Sequence, residues 1–234
     1  MDKTELIQKS PIRAFEQSIH GGLGKGRIGG LAAKKGVGKT AGLVHIAIDK
    51  LMRGEHVIHV SFAERVDHII TWYENVYREI ARDAELEGKD DMYEELTRNR
   101  VIMNFKQEGV QTRNVLASLE SIVKDGHFPA NCIIFDGYDL AKASHEDVSS
   151  FRTFAQKTDC EIWFSLSLKG PEPLFDEQGI PNELKPFIED FDVLITMRFD
   201  GEDVRMRCIK DQGRVAPMEM GVKIDSKTML IAKK

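Results

Sequence analysis

Residues 28–40 read Ile-Gly-Gly-Leu-Ala-Ala-Lys-Lys-Gly-Val-Gly-Lys-Thr, and they are the most informative feature of this chain. A short apolar run stops at a glycine-bearing loop, and the apolar, helix-compatible residues 41–51 follow at once. Strand, loop and helix in this order give the phosphate-loop pattern Gly-x-x-x-x-Gly-Lys-[Ser/Thr] a physical meaning. N–H groups of the loop and of the first helical turn would face a chain of phosphates, because unpaired donors and the helix dipole favour anions.

The residues of this loop have separate expected roles. Lys39 would reach the outer phosphates and act in catalysis, and the Thr40 hydroxyl would hold Mg²⁺. Ala33 stands where the pattern asks for its first glycine, so a lysine-rich connection without phosphate binding stays open as the alternative. The predicted nucleotide-binding residues of the loop are Lys34, Lys35, Gly36, Val37, Gly38, Lys39, Thr40 and Ala41.

A second piece of the expected site is an acidic residue at the end of another strand. Residues 132–135 form a continuous apolar run, typical of a strand buried on both faces of a parallel sheet, and Asp136 follows them. The carboxyl ends of parallel strands meet at one edge of the sheet, which would bring Asp136 beside the phosphate loop. Its carboxylate would then bind Mg²⁺ directly or through water, so the two pieces together predict a site for ATP and Mg²⁺.

Hydrolysis of ATP also needs a group that orients the attacking water. Gly137 follows Asp136, so a glutamate adjacent to the metal-binding aspartate is absent from this position. Glu64, just past the predicted strand at residues 56–62, is the candidate catalytic carboxylate. The alternative for Glu64 is a solvated residue that caps the following helix.

The rest of the chain continues the alternation of strands and helices. Strands are expected at residues 27–32, 56–62, 101–105, 132–135, 161–168, 193–199, 204–209, 218–224 and 229–232. Helices are expected at residues 11–19, 41–52, 66–100 with a break near 88–91, 110–124 and 145–157. This order predicts one α/β domain over residues 1–234, with a lead-in at residues 1–25, a doubly wound, mostly parallel sheet and antiparallel C-terminal edge strands.

The composition is that of an ordinary globular protein, with 41% hydrophobic and 30% charged residues. No run of about 18 apolar residues occurs, so no membrane span is expected. Cys132, Cys160 and Cys208 are widely spaced and odd in number, which favours core thiols in a reducing cytoplasm. The formal net charge of −5 argues against a dedicated binder of duplex DNA.

The quoted motifs resemble a known family. Residues 21–27, Gly-Gly-Leu-Gly-Lys-Gly-Arg, followed by the first strand and by residues 36–40, closely resemble the opening of KaiC-like members of the RecA-type ATPase superfamily. The family carries a catalytic acidic pair after its second strand, and this chain keeps Glu64 but has Ala63 at the first position. The strand that ends in Asp136 matches the family's Mg²⁺-binding strand. The resemblance spans nearly the whole chain and implies a RecA-like P-loop NTPase fold.

The same resemblance implies self-association. Members of the family form rings or filaments in which basic groups of one subunit reach the nucleotide of the next, and a homo-oligomeric ring, a hexamer, is the expectation here. Lys210 and Arg214 are the corresponding nucleotide-binding residues, while Gln212 stands where arginine is expected; an exposed turn with two solvated charges is the alternative. Ser165 and Ser167 lie where related ATPases carry a γ-phosphate sensor, and buried serines without that role are the alternative.

A second resemblance is weaker. Lys34 lies five residues before Lys39, which is the spacing of the signature lysine in ParA- and MinD-type ATPases. Those proteins also need an aspartate-rich end on the second strand, and residues 61–64, Ser-Phe-Ala-Glu, do not supply it. A partitioning-type ATPase is therefore a minor alternative.

Three functions remain open from the sequence, and the favoured one is a weakly active KaiC- or RecA-like ATPase whose cycle drives a conformational or assembly change. The second is a nucleic-acid motor or recombination factor, such as a minimal replicative-helicase core. Residues 169–185 would be its DNA-facing loop, but their acidic residues disfavour phosphates. The third is a nucleotide-binding pseudoenzyme, because Ala33, Ala63 and Gln212 all depart from the active pattern. The sequence identifies no other protein partner.

Overall fold

The computed structural model of the protein describes residues 1–62, 65, 67–106 and 110–234. The strands in this part of the chain are β1 Ile28–Ala33, β2 His56–Ser61, β3 Arg100–Asn104, β4 Ala130–Asp136, β5 Glu161–Ser167, β6 Val193–Asp200, β7 Asp203–Asp211, β8 Arg214–Ile224 and β9 Ile231–Lys233. The α-helices are α1 Lys3–Lys9, α2 Ile12–Gln17, α3 Lys39–Met52, α4 Asp67–Asp83, α5 Lys89–Arg98, α6 Thr112–Glu120 and α7 His145–Thr158. A π-helical turn at Ser121–Asp125 and 3₁₀ segments at Leu140–Lys142 and Asn182–Asp190 complete these elements.

All nine strands join one sheet in the order β3-β2-β4-β5-β1-β6-β7-β8-β9. The pairs from β3 to β6 are parallel, and the pairs from β6 to β9 are antiparallel. The predicted α/β fold with a largely parallel sheet and antiparallel C-terminal strands is therefore confirmed. The parallel strands lie between two layers of helices, and strands buried on both faces account for the long apolar runs of the sequence.

Strand β1 packs so closely against its neighbours that it needs its two glycines. A Cβ atom at Gly29 would lie 2.8 Å from the ring of Trp163, and one at Gly30 would lie 2.6 Å from Leu166 Cδ1. Side chains at these positions would overlap the core, because protein interiors are already close-packed. The pair Gly29 and Gly30 thus fits β1 into the centre of the sheet, between β5 and β6.

Several boundaries differ from the sequence expectations. Helix α1 was not expected, and its N-cap is Asp2, whose side chain accepts a hydrogen bond from Glu5 N. Helices α1 and α2 bury Leu6, Ile12 and Phe15 in the core, so most of the lead-in packs against the rest of the chain. Strand β8 starts at Arg214 rather than at residue 218, because it pairs with β7 as soon as the chain has turned.

The described residues contain no helix that combines the length and the apolar character needed to cross a lipid bilayer. Cys132, Cys160 and Cys208 are free thiols inside the core, as the sequence predicted. Burial raises the pKa of each of these thiols. The neutral form is favoured, which is typical of structural rather than reactive cysteines.

His45 gives the fold a specific dependence on pH. This residue of α3 is fully buried, and its Nδ1 accepts a hydrogen bond of 3.0 Å from the backbone N–H of Ile231 on β9. Burial lowers the pKa of His45 from 6.5 to about 4. Between these two values the unfolded chain binds more protons than the folded chain, so stability is present above pH 6.5 and falls as the pH drops toward 4.

We expect His45 to lower the free energy of unfolding by about 2 kcal/mol between pH 7 and pH 5. The variant His45→Gln keeps a hydrogen-bond acceptor but cannot titrate, so its stability should depend less on pH by that amount. Urea unfolding of both proteins at several pH values measures the difference in their free energies of unfolding. The contributions of the other titrating groups cancel in this difference. Parallel pH profiles for the two proteins would contradict this role of His45.

Candidate functional site

The loop between β1 and α3 has the geometry expected from its glycines. Gly36 and Gly38 have φ angles of +85° and +105°, a region that favours glycine. Val37 between them is buried, whereas Lys34 and Lys35 are exposed. The loop therefore turns sharply around one buried anchor, and Gly38 precedes the first residue of α3.

Lys39 is the first residue of α3, and its ammonium group faces back toward this loop. Its side chain is only 7% exposed, and Nζ donates hydrogen bonds to the carbonyl oxygens of Ala33 at 3.1 Å and Lys34 at 2.9 Å. Burial lowers the pKa of Lys39 to about 8, and the nearby carboxylate of Asp136 partly opposes that shift. The ammonium group is thus held by carbonyl groups of the loop itself.

Ala33, the departure from the phosphate-loop pattern, is the last residue of β1. Its side chain is fully buried in the cluster on the α3 face of the sheet, and its register partner is Ser167 on β5. The methyl group thus packs in the core while the carbonyl group faces Lys39. Alanine is accommodated here because the strand continues through this position before the loop turns.

The two predicted metal ligands meet although they are 96 residues apart in the sequence. The Thr40 hydroxyl on α3 donates a hydrogen bond of 2.9 Å to Oδ2 of Asp136 at the end of β4. A hydroxyl and a carboxylate are the oxygen ligands that Mg²⁺ prefers, and Mg²⁺ commonly takes its remaining ligands from water and phosphate. The described residues hold no cluster of three or more His, Cys, Asp or Glu side chains suited to a metal.

Two further residues surround Asp136. His59 on β2 is fully buried; its Nε2 lies 4.0 Å from Asp136 Oδ2, and its Nδ1 lies 3.2 Å from the Tyr73 hydroxyl oxygen. Burial lowers the pKa of His59, and Asp136 opposes that shift. The Ser165 hydroxyl accepts a 2.8 Å hydrogen bond from the backbone N–H of Gly137, so this serine fixes the chain just after Asp136.

His59 was missed by the sequence reasoning. The alternation of side chains along β2 places His59 on the face of the sheet opposite to Ile58, and the sequence could have shown this much. Its partner Tyr73 lies on α4, and the sequence pattern does not specify how that helix packs on the sheet.

A cleft of about 360 Å³ opens beside the loop at the carboxyl edge of the sheet. Thr40, Asp136 and Lys35 line one side, and the stacked rings of His68 and Trp72 lie on another. Ser167 also lines the cleft, whereas Ser165 does not. Of the two serines proposed as phosphate sensors, Ser167 is therefore the one that faces this space.

No protein-family model matches this chain, and no curated protein matches it. The roles of the loop, of Thr40 and of Asp136 therefore depend on the residues and their geometry.

Glu64, the candidate for orienting water, lies outside the described residues, so its catalytic role stays a prediction. Phe62 and His68, described residues on either side of it in the sequence, both line the cleft beside Asp136.

Lys210 and Arg214 lie far from the phosphate loop of their own chain. Strand register pairs Lys210 with Leu194 near the start of β6, whereas the phosphate loop follows the end of β1. Lys210 is 2% exposed; its Nζ donates to the Ile188 carbonyl oxygen at 2.9 Å and pairs with Glu189 at 3.0 Å. Lys210 therefore has a structural role within its own chain, and Arg214 is the exposed member of the pair.

Proposed function

We propose that the protein binds ATP with Mg²⁺ at the phosphate loop and hydrolyses it, as RecA-type ATPases do. The observation that carries the proposal is the hydrogen bond between Thr40 and Asp136 beside the buried ammonium group of Lys39. The strand order also supports a RecA-like P-loop fold, since β1 with its loop and β4 with its terminal aspartate are separated by one strand, β5.

The residues present fit this ligand. Thr40 and Asp136 supply two hard oxygen ligands for the metal, and the loop from Lys34 to Gly38 supplies backbone N–H groups in front of the helix α3. Lys39 would exchange its carbonyl partners for phosphate oxygens, which form stronger, charge-assisted hydrogen bonds. When bound, Mg²⁺ neutralises charge on the phosphates. Ser165 holds the backbone just after Asp136, and the His59 ring lies beside the Asp136 carboxylate.

We propose that Glu64 orients water for hydrolysis and contributes little to binding. The variant Glu64→Gln keeps the shape of the side chain but removes the carboxylate, so turnover of ATP should fall by about 100-fold while the Kd for ATP stays near that of the wild type. Steady-state turnover and calorimetric titration with Mg-ATP measure the two quantities on the same preparation.

Glu55→Gln is the matched control, because it removes one carboxylate that pairs with Lys50 and Arg53 away from the cleft. If Glu64→Gln hydrolyses ATP as fast as the wild-type protein, another group must orient the attacking water. Absence of turnover in the wild-type protein, with ATP still bound, would favour the pseudoenzyme.

We further propose that the active form is a homo-oligomeric ring in which Arg214 approaches the nucleotide of the next subunit. The exposure of Arg214 and its distance from its own phosphate loop along the sheet support this arrangement. Native mass measured with Mg-ATP at micromolar protein should be several times the 26.5 kDa of one chain, and six times that mass for the expected hexamer. Arg214→Ala should lower turnover several-fold without unfolding the protein, and a strictly monomeric mass would contradict the ring.

A further inference from the structure

Three arginines lie together on the antiparallel part of the sheet. Arg198 on β6 is directly opposite Arg205 on β7, and Arg207 is directly opposite Thr196. Opposite residues of antiparallel strands share a face, as do residues two apart on one strand, so all three guanidinium groups lie on the same face. Like charges in opposite positions destabilise a sheet unless nearby anions compensate them.

Two of these side chains are held in place by the segment that follows β5. The guanidinium carbon of Arg198 lies 3.2 Å from the centre of the Phe175 ring. Arg207 Nη1 donates a 3.0 Å hydrogen bond to the Gln178 carbonyl oxygen, and a Cβ atom at Gly179 would overlap that nitrogen. The backbone of Gly179 thus packs directly on Arg207. These contacts position both guanidinium groups, while both side chains keep part of their surface open to solvent.

The local charge is unbalanced. Glu219 pairs with Arg205 at 2.7 Å, with Arg207 at 3.5 Å and with Lys234 at 3.5 Å, so one carboxylate is shared by three cations. Asp200 adds a carboxylate 3.9 Å from Arg205 at the turn between the strands. Burial, Arg207 and Arg205 lower the pKa of Arg198, and the nearby carboxylate of Glu172 partly opposes that shift. The buried Nε of Arg207 makes the 3.5 Å ion pair with Glu219 but no hydrogen bond.

We propose that this arginine cluster, Arg198, Arg205 and Arg207, binds a compact diphosphate or triphosphate group. The three side chains, with Thr196 and Glu219, line a cavity of about 280 Å³. Guanidinium groups bind phosphate through paired N–H donors, and a small cavity with converging donors suits a short polyphosphate better than an extended polymer. The site is separate from the phosphate loop and does not depend on the ATPase proposal.

The cluster and the phosphate loop contact the same segment of chain. Glu172 pairs with Lys34 of the loop, while Phe175 and Gln178 contact the cluster. Residues 172–178 therefore lie between two anion-binding positions. This is the acidic segment that sequence reasoning considered for DNA binding, and here its residues Glu172 and Asp176 pair with lysines of the same chain.

Titration of the full-length protein with inorganic pyrophosphate tests the proposal. The Lys39→Ala variant removes the main charged contact of the phosphate loop, so pyrophosphate binding that remains in it would belong to the cluster. In that background, Arg198→Gln and Arg205→Gln should each weaken binding about tenfold, because each removes a charge-assisted contact. Glu219→Gln should instead tighten binding severalfold, because it removes the carboxylate that competes with the ligand.

Two matched controls separate the cavity from general electrostatics. Arg98→Gln removes an exposed arginine of α5, and Glu202→Gln removes an exposed carboxylate of the β6–β7 turn. Arg98→Gln changes the net charge as the cluster arginine variants do, and Glu202→Gln changes it as Glu219→Gln does. Neither control should change pyrophosphate affinity. Arg205→Lys keeps the charge but loses the planar fork and should give an intermediate Kd. If Arg198→Gln or Arg205→Gln fails to fold, Arg205→Lys and Glu219→Gln still carry the test.

The outcomes are distinct. Absence of pyrophosphate binding in Lys39→Ala, or equal affinity in the cluster variants and their controls, would overturn the proposal. Pyrophosphate binding that depends on the arginines supports the proposal for the cluster. ATP binding that is insensitive to Lys39 would contradict the ATPase proposal and would leave the proposal for the cluster standing. A parallel titration with ADP distinguishes the source of the phosphates: tighter arginine-dependent binding of ADP assigns the cavity to a nucleotide, and equal or weaker binding assigns it to a free polyphosphate.

Discussion

Lys39→Ala should weaken ATP binding by about 10- to 100-fold, because it removes a charged donor to the outer phosphates worth about 1.5–3 kcal/mol. The loss should be larger than that caused by Lys35→Ala, which removes the same charge from an exposed position of the same loop. Calorimetric titration of both variants with Mg-ATP gives the comparison. An unchanged Kd in a folded Lys39→Ala protein would contradict nucleotide binding at this loop.

A second substitution separates the charge of Lys39 from its packing. Lys39→Met fills similar space but donates no hydrogen bond to Ala33 or Lys34, and it should lose ATP affinity as Lys39→Ala does. Its stability should be close to that of the wild type, because burying the ammonium group already costs solvation free energy, as the lowered pKa shows. Thermal unfolding of the three proteins checks this expectation. A large drop in Tm for Lys39→Met would mean that the carbonyl contacts hold the loop together.

Asp136→Asn should reduce ATP turnover by about 100-fold and remove its dependence on Mg²⁺. Asparagine still accepts a hydrogen bond from the Thr40 hydroxyl, so the local structure should persist while the charge that binds the metal is lost. Turnover and ATP affinity measured across a Mg²⁺ titration give both effects. Asp139→Asn is the control, since Asp139 lines the same cleft but pairs with Lys169 at 3.3 Å.

Thr40 allows a stricter form of this test. Thr40→Ser keeps the hydroxyl and should behave like the wild type, whereas Thr40→Ala should lose the Mg²⁺ dependence. If both residues hold one ion, the double variant Thr40→Ala, Asp136→Asn should be little worse than the poorer single variant, because groups that act as a unit are not additive. Fully additive losses, or wild-type turnover in Asp136→Asn, would show that the two side chains do not share a metal.

The sharp turn of the loop after β1 and the mostly parallel character of the sheet could be predicted because their signals are local or general. Positive φ at Gly36 and Gly38, and the apolar runs of β1 and β4, follow directly from residue types. The contact between Thr40 and Asp136 follows from the rule that parallel strands end at a common edge.

Other features depend on packing that no local pattern specifies. Lys210 is predicted to reach a neighbour, which stays a prediction; within its own chain the 3₁₀ segment Asn182–Asp190 supplies two partners for its ammonium group, Ile188 and Glu189. The arginine cluster depends on the register of β6 with β7, where a shift of one residue would move Arg198 away from Arg205. Helix α1 was missed because its seven residues carry one buried side chain, Leu6, and no clear period.

The central position of β1 affects how the chain must fold during synthesis. Its two neighbours in the sheet are β5, which begins at Glu161, and β6, which begins at Val193. Strand β1 is therefore made early, with an apolar sequence and both hydrogen-bonding edges open, long before either neighbour leaves the ribosome. Contacts of such wide sequence separation form slowly, and unpaired apolar strands associate with one another. We therefore expect the loop that follows β1 to reach its native shape only after that late pairing. A ligand bound at the loop could then not protect a nascent chain that ends before β6 from misfolding.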